Sequence, residues 1–290
     1  MNVSNWFQDF CQNIKISDAT VNNTQSRYKQ ITKRINIDYW NSDSEIYHSL
    51  YVGSYGRDTD IYTSDIDIIV QLPYAIYEKY NNYSGNGQSA LLQDVKCVLQ
   101  KTYSTSHLKG DGQVVGLNFK DGICFEIVPA FINKNDSYTY ADTNNGGSWK
   151  VTNPKIEISA VNEMNNLTNK NLKRLCRMLR TWKSKWNAPM SGILIDTLAY
   201  RFLEKWESKD KSFLYYDFMT RDFFEFLYDF SNTSYCYAPG SNSQVYIGGS
   251  YTQKAESCYN IAVEAISKEK EYPTTAKSKW REIYGTKFPA

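Results

Sequence analysis

The chain has 290 residues, 41% apolar and 22% charged, enough to bury a sizeable core and to exclude disorder as its general state. Lys+Arg number 33 against 31 Asp+Glu, and the net charge of +2 is too small for electrostatic wrapping of long nucleic acid. Two histidines argue against a multi-histidine metal site, and six cysteines in no C-x-x-C pair argue against a zinc ribbon; the thiols are expected to be reduced, scattered and mostly buried.

The opening MNVSNWFQDF lacks the basic-then-apolar pattern of a secretory leader. No apolar run reaches the roughly 20 residues of a membrane span, so the expectation is a cytoplasmic protein with no membrane partner. Ser17-Asp18 reads as a helix N-cap. Val21, Thr24, Tyr28, Ile31 and Ile35 then recur at helical spacing, which predicts a long amphipathic helix to about Trp40 with Arg27, Lys33 and Arg34 on its solvated side. Gly53-Ser54-Tyr55-Gly56 reads as a turn, and Ser64–Val70 alternates polar and β-branched residues as a strand does. Residues 88–103 read as a helix. Gln113–Phe119 and Ile123–Val128 read as strands joined at Lys120-Asp121-Gly122, a hairpin signal, with Pro129 closing the second. Residues 133–153, containing Asn144-Asn145-Gly146-Gly147, read as a loop.

The second half is mainly helical. Leu172, Leu175, Leu179, Trp182 and Trp186 fall on one stripe, so both tryptophans are expected in the core. A Gly/Ser/Asn-rich interruption (231–250) precedes a last helix near Gln253–Lys268. The expected architecture is α+β: an N-terminal lobe over residues 1–160 and a helical lobe over 161–290.

The chemistry concentrates in Gly53-Ser54, ten intervening residues, then Asp65-Ile66-Asp67. Residues i and i+2 of a strand point to one face, so Asp65 and Asp67 present paired carboxylates. Such a pair is unfavourable without positive charge between them, and hard divalent cations with oxygen ligands suit it. The small residues upstream let backbone N–H groups and the Ser54 hydroxyl approach phosphate oxygens, and Arg57 can add a charge-assisted contact. Glu126, inside the apolar run Phe125-Glu126-Ile127-Val128-Pro129, is either the third carboxylate of this set or an edge-strand glutamate facing water. Lys173, Arg177 and Arg180 share one helical face. His48 and His107 receive no role.

Gly53-Ser54-Tyr55-Gly56-Arg57-Asp58-Thr59 followed by Asp65-Ile66-Asp67 resembles the nucleotidyltransferase signature of the DNA polymerase β superfamily. The chain is most similar to the bacterial CD-NTases (SMODS-type enzymes), relatives of cyclic GMP-AMP synthase and oligoadenylate synthase. Phe125–Ala130 resembles their third-carboxylate strand, Leu175–Trp182 their basic, Trp-containing helix, and Trp280–Gly285 with Phe288-Pro289 their shared ending. The resemblance implies a two-lobed nucleotidyltransferase fold, a mixed β-sheet lobe with a spine helix and a helical lobe, with the active site in the cleft between them. It implies synthesis of cyclic di- or trinucleotides, or related oligonucleotides, for antiphage signalling. Two Mg²⁺ ions, for which Mn²⁺ can substitute, would be held by Asp65, Asp67 and Glu126 during in-line phosphoryl displacement. The substrates would be NTPs: ATP, GTP or both, with UTP and CTP as further candidates. Arg180 falls where these enzymes carry a triphosphate-binding lysine; Lys183 is the nearby lysine. Ser191 matches a phosphate-contacting serine, though its place before Gly192 equally suits a helix N-cap.

Two other readings stay open in the residues. One is transfer of a nucleotide to a protein or RNA acceptor; the other is a catalytically silent nucleotide sensor. A protein partner that switches the enzyme on is compatible with the sequence, and a long nucleic-acid activator is disfavoured.

Overall fold

The computed structural model describes residues 2–61, 65–230 and 233–290. Ser64 of the alternating segment, and Ser231 and Asn232 of the Gly/Ser-rich interruption, lie outside the described residues. Among the described residues the elements are, in chain order, α1 (Val3–Asn13), α2 (Asp18–Trp40), β1 (Ser49–Tyr51), the one-turn α3 (Gly53–Gly56), β2 (Asp65–Gln71), α4 (Tyr74–Asn81), α5 (Gly87–Gln100), β3 (His107–Asp111), β4 (Val114–Asn118), β5 (Cys124–Ile132), β6 (Tyr138–Asp142) and β7 (Ser148–Thr152). The second half adds α6 (Pro154–Leu167), α7 (Asn171–Trp186), α8 (Gly192–Lys205), α9 (Tyr216–Asp229), β8 (Tyr235–Tyr237), β9 (Gln244–Tyr246), α10 (Thr252–Lys268) and α11 (Pro273–Tyr284). The chain forms two compact units: the described residues within 16–56 and 62–155, and those within 1–15, 57–61 and 156–290.

The first unit is a mixed sheet with helices. Ser17 caps α2, its hydroxyl accepting from the Thr20 N–H at 3.2 Å, and the helix ends at Asn41 in the left-handed conformation, φ 50°. The strand order is β1-β2-β5-β4-β3, with β6 beside the far end of β5 and β7 beside β6; β2 and β5 are parallel. Alternation sorts the two faces of the central strands. Ile66, Ile68, Val70, Phe125 and Ile127 enter a core with Ile31 and Ile35 of α2 and Leu91, Leu92, Val95 and Leu99 of α5. Asp65, Asp67, Cys124 and Glu126 occupy the alternate positions, all at least partly exposed.

Two expectations are corrected in this unit. Pro129 does not close its strand: β5 runs on to Ile132. Pairing with β4 stops at Ile127 and pairing with β6 starts at Ala130, so no antiparallel partner asks for the N–H that Pro129 lacks. Residues 133–153 are not a plain loop. They hold the hairpin β6–β7, whose turn needs Gly146 and Gly147 at φ 90° and 98°.

The second unit is helical. Leu172, Leu175, Leu179 and Trp182 are buried as the stripe predicts, while Trp186 is half-buried and donates its indole N–H to the Ile283 carbonyl at 3.2 Å. The first helix also belongs here: Phe7 of α1 packs edge-on against Trp280 at 5.2 Å and Phe288 at 5.2 Å. Residues 231–250 contain the hairpin β8–β9, and α11 follows the helix expected to be last. All six cysteines are free thiols; Cys11, Cys176, Cys236 and Cys258 are buried, Cys124 is half-buried and Cys97 exposed. No helix among the described residues is long and apolar enough to cross a membrane.

A carboxyl pair in this core makes stability pH-dependent. Asp217 at the start of α9 and Glu269 just after α10 are both held above the usual carboxylate range by burial first. The charge of Asp217 pushes Glu269 up further, and the Trp280 indole donates to Glu269 at 3.2 Å. A raised carboxyl favours the folded state while protonated, so its contribution is full below the unfolded pKa and is lost as pH rises through the folded one. Glu269→Gln is therefore expected to match the wild-type melting temperature near pH ~4 and exceed it near pH ~8. Thermal melts across that range check this; parallel curves for the two proteins would refute it.

Candidate active site

Parallel pairing of β2 with β5 sets Asp65 opposite Cys124 and Asp67 opposite Glu126. Opposed residues on neighbouring strands share a face, and neighbouring strands lie about 4.8 Å apart. The three carboxylates therefore stand on one face, away from the main core. Glu126 is not at a sheet edge, because β5 is flanked by β2 and β4. Cys124, on the same face, has its thiol pushed up by burial first and then by the negative charges of Asp65, Glu126 and Asp67.

The Gly53–Gly56 turn is fastened to this face. Gly53 has φ +60°, and a Cβ built on it would lie 1.8 Å from Asp67 Oδ2: the aspartate occupies the space a side chain would need. The Val52 N–H donates to the Asp67 carbonyl at 2.9 Å, and the Gly56 N–H to the Val52 carbonyl at 2.8 Å. Ser54 is half-buried on the same turn. As a donor set, three carboxylates sharing a face fit Mg²⁺ or Mn²⁺. Among the described residues no three His, Cys, Asp or Glu side chains stand in metal-holding geometry.

The helical unit brings two of the expected phosphate ligands together around a third residue. Asp196 of α8, which the sequence reading did not single out, is 1% exposed. Its carboxylate accepts from Arg57 Nε at 2.9 Å, Thr59 Oγ1 at 2.9 Å, Arg180 Nη1 at 2.5 Å and Arg180 Nη2 at 3.0 Å. Burial alone would raise this acid; Arg180 and Arg57 outweigh it and hold the carboxyl at about 2. Both guanidiniums are thus committed to a carboxylate of the protein itself. Arg177 donates to the carbonyls of Asp58 and Asp60 and pairs with the Asp58 carboxylate, which Lys173 also reaches at 3.2 Å. The basic face of α7 therefore grips residues 57–61. Lys183 is half-buried and makes no ion pair among the described residues. Ser191 is the N-cap of α8, its hydroxyl accepting from the Leu194 N–H at 3.3 Å.

Asp196 carried the same signal that pointed to Glu126, an acid inside an apolar run, here Gly192-Ile193-Leu194-Ile195-Asp196-Thr197-Leu198. His48 has a structural occupation, stacked on Trp40 with ring centroids 3.9 Å apart and hydrogen-bonded to Asn36.

A mixed sheet presenting two aspartates and a glutamate on one face, beneath a glycine-serine turn, defines an α+β nucleotidyltransferase fold. Its likenesses among solved structures agree. CdnC of E. coli MS115-1, solved with ATP, superposes at a TM-score of 0.72 with 13% identity over 99% of each chain. The same protein in a CdnC:HORMA-deltaN complex gives 0.69 with 14% identity over 99% of this chain and 98% of that one. The Bradyrhizobium diazoefficiens CD-NTase CdnG, in complex with GTP, gives 0.69 with 11% identity over 98% and 95%.

The family model for the Second Messenger Oligonucleotide or Dinucleotide Synthetase domain matches residues 1–165, and the chain belongs to that family, the bacterial CD-NTases. A probable cyclic nucleotide synthase of Bacillus cereus (strain VD146) is 24% identical over 200 residues, which is 63% of this chain and 57% of the relative's length.

Proposed function

We propose that the protein is a Mg²⁺-dependent nucleotidyltransferase that joins NTPs into cyclic di- or trinucleotides, or related oligonucleotides, as cytoplasmic second messengers in antiphage signalling. The observation that carries this reading is the pairing of Asp67 with Glu126 on the face that also bears Asp65, against the Gly53 turn. Family membership supports the class of product. ATP and GTP are the first substrates to try, because similar structures were solved with them. The HORMA complex of a similar protein motivates a protein activator.

In this reading Asp65, Asp67 and Glu126 hold two divalent ions, and Glu126 also accepts the proton of the attacking ribose hydroxyl. When bound, such ions lower the pKa of that hydroxyl and neutralise the departing pyrophosphate. The Ser54 hydroxyl and the backbone N–H groups of its turn bind phosphate oxygens. Lys183, which makes no ion pair among the described residues, is the α7 cation proposed for the triphosphate in preference to Arg57 and Arg180. Ser191 keeps its helix cap.

The test is incubation with each NTP combination plus Mg²⁺ or Mn²⁺, phosphatase treatment and mass spectrometry. A phosphatase-resistant cyclic product that disappears in Asp65→Asn is expected. Nucleotide recovered on tRNA or protein would replace this reading with acceptor modification.

A further inference from the structure

Beyond the backbone hydrogen bonds that fasten it, the Gly53–Gly56 turn is oriented by its side chains. It is a single turn with glycine at both ends, and only Ser54 and Tyr55 carry side chains. Tyr55 is the side chain that links the turn to an aromatic column of the sheet unit. Its ring meets that of Tyr51 at 4.9 Å between centroids. Tyr51 in turn lies flat on Tyr28 of α2, at 4.0 Å and 20° between planes. The base of the stack is fixed by polar contacts: the Tyr28 hydroxyl accepts from Ser49 Oγ at 2.7 Å, and Ser49 Oγ shares a 2.7 Å hydrogen bond with Thr32 Oγ1.

The Tyr28–Tyr51 rings are stacked and the Tyr51–Tyr55 rings are tilted by 47°, and ring contacts of this kind fix orientation as well as area. Tyr51 is the middle rung. Its hydroxyl oxygen is buried with no hydrogen-bond partner among the described residues, so the ring rather than the hydroxyl makes the contacts. We propose that Tyr51 is a positioning residue for nucleotide binding: through Tyr55 it seats the Ser54 turn on α2, and so sets where the turn's phosphate donors stand. The inference rests on reading that turn as the phosphate-binding element.

The experiment compares wild type, Tyr51→Phe and Tyr51→Leu. Leucine fills much of the space but cannot stack; phenylalanine keeps the ring and removes the orphan hydroxyl. Tyr51→Leu is expected to speed amide hydrogen exchange at residues 53–56 by about tenfold. It should also raise the KM for the nucleoside triphosphate by about tenfold while kcat stays within about twofold. Tyr51→Phe should keep wild-type values for both. Unchanged exchange or unchanged KM in Tyr51→Leu would overturn the proposal, as would a Tyr51→Phe protein that behaves like the leucine variant. Should Tyr51→Leu fail to fold, Tyr55→Leu cuts the same stack at its outer rung and carries the same expectations. Amide exchange needs no turnover, so it decides the seating of the turn even if the wild-type protein joins no nucleotides, a result that would count against the functional reading instead.

Discussion

Gly53→Ala is expected to lower kcat/KM by about two orders of magnitude, because an error of ~1 Å in placing a reacting group can cost that much. Two effects combine. Alanine at φ +60° is strained by about 1–2 kcal/mol. Its Cβ would also lie 1.8 Å from Oδ2 and 2.7 Å from Cγ of Asp67, so the carboxylate has to leave its position. A second glycine separates the two. Gly122 in the β4–β5 turn also has positive φ, +86°, but nothing lies within 4 Å of a Cβ built there. Gly122→Ala should therefore carry strain alone and keep nearly full activity. Steady-state kinetics on both variants, with thermal melts to match their stabilities, decide the matter. Equal losses in the two would mean that the fit of Asp67 against Gly53 has no part in catalysis.

Asp196→Ala is expected to destabilise the protein by about 3–5 kcal/mol, the range for removing one partner from a buried ion pair. The change strands two buried cations: the side chains of Arg57 and Arg180 are 6% and 10% exposed. The comparison is Asp58→Ala. Asp58 also pairs with two cations, Lys173 and Arg177, but its side chain is 61% exposed, so water can take over and the loss should stay below about 1 kcal/mol. Denaturant unfolding followed at a probe in the helical unit measures both. If Asp196→Ala costs no more than Asp58→Ala, the buried cluster is not what holds residues 57–61.

What the sequence made legible follows the physics of each signal. The cap at Ser17 and the 3.6-residue spacing that follows are local, and the helix Asp18–Trp40 lies where they put it. The alternation through Asp65–Val70 was enough to place both aspartates on one face. That Glu126 joins them depends on the register between strands far apart in sequence, which no local pattern encodes; family resemblance supplied it, and the pairing of Asp67 with Glu126 agrees. The hairpin within 133–153 was hidden by its polarity, since β7 buries none of its residues fully. Asp196 went unnoticed for another reason. A charge looks like a phosphate ligand or a solvated group until its partner is known, and the partners of Arg57 and Arg180 lie more than a hundred residues apart in one case and on the next helix in the other.

The assignment of residues 1–15 and 57–61 to the helical unit has a practical corollary for recombinant work. The polypeptide passes from one unit to the other at 15/16, at 56/57, between Ile61 and Asp65, and at 155/156. A fragment beginning after residue 165, where the family match ends, would lack Trp6, Phe7 and Phe10, all almost fully buried in the aromatic core it needs. No single cut yields an intact half, and neither half can be exchanged with a homologue's as one contiguous cassette. Chimeras and split versions of this protein would have to carry the first helix and the 57–61 strap along with the C-terminal portion.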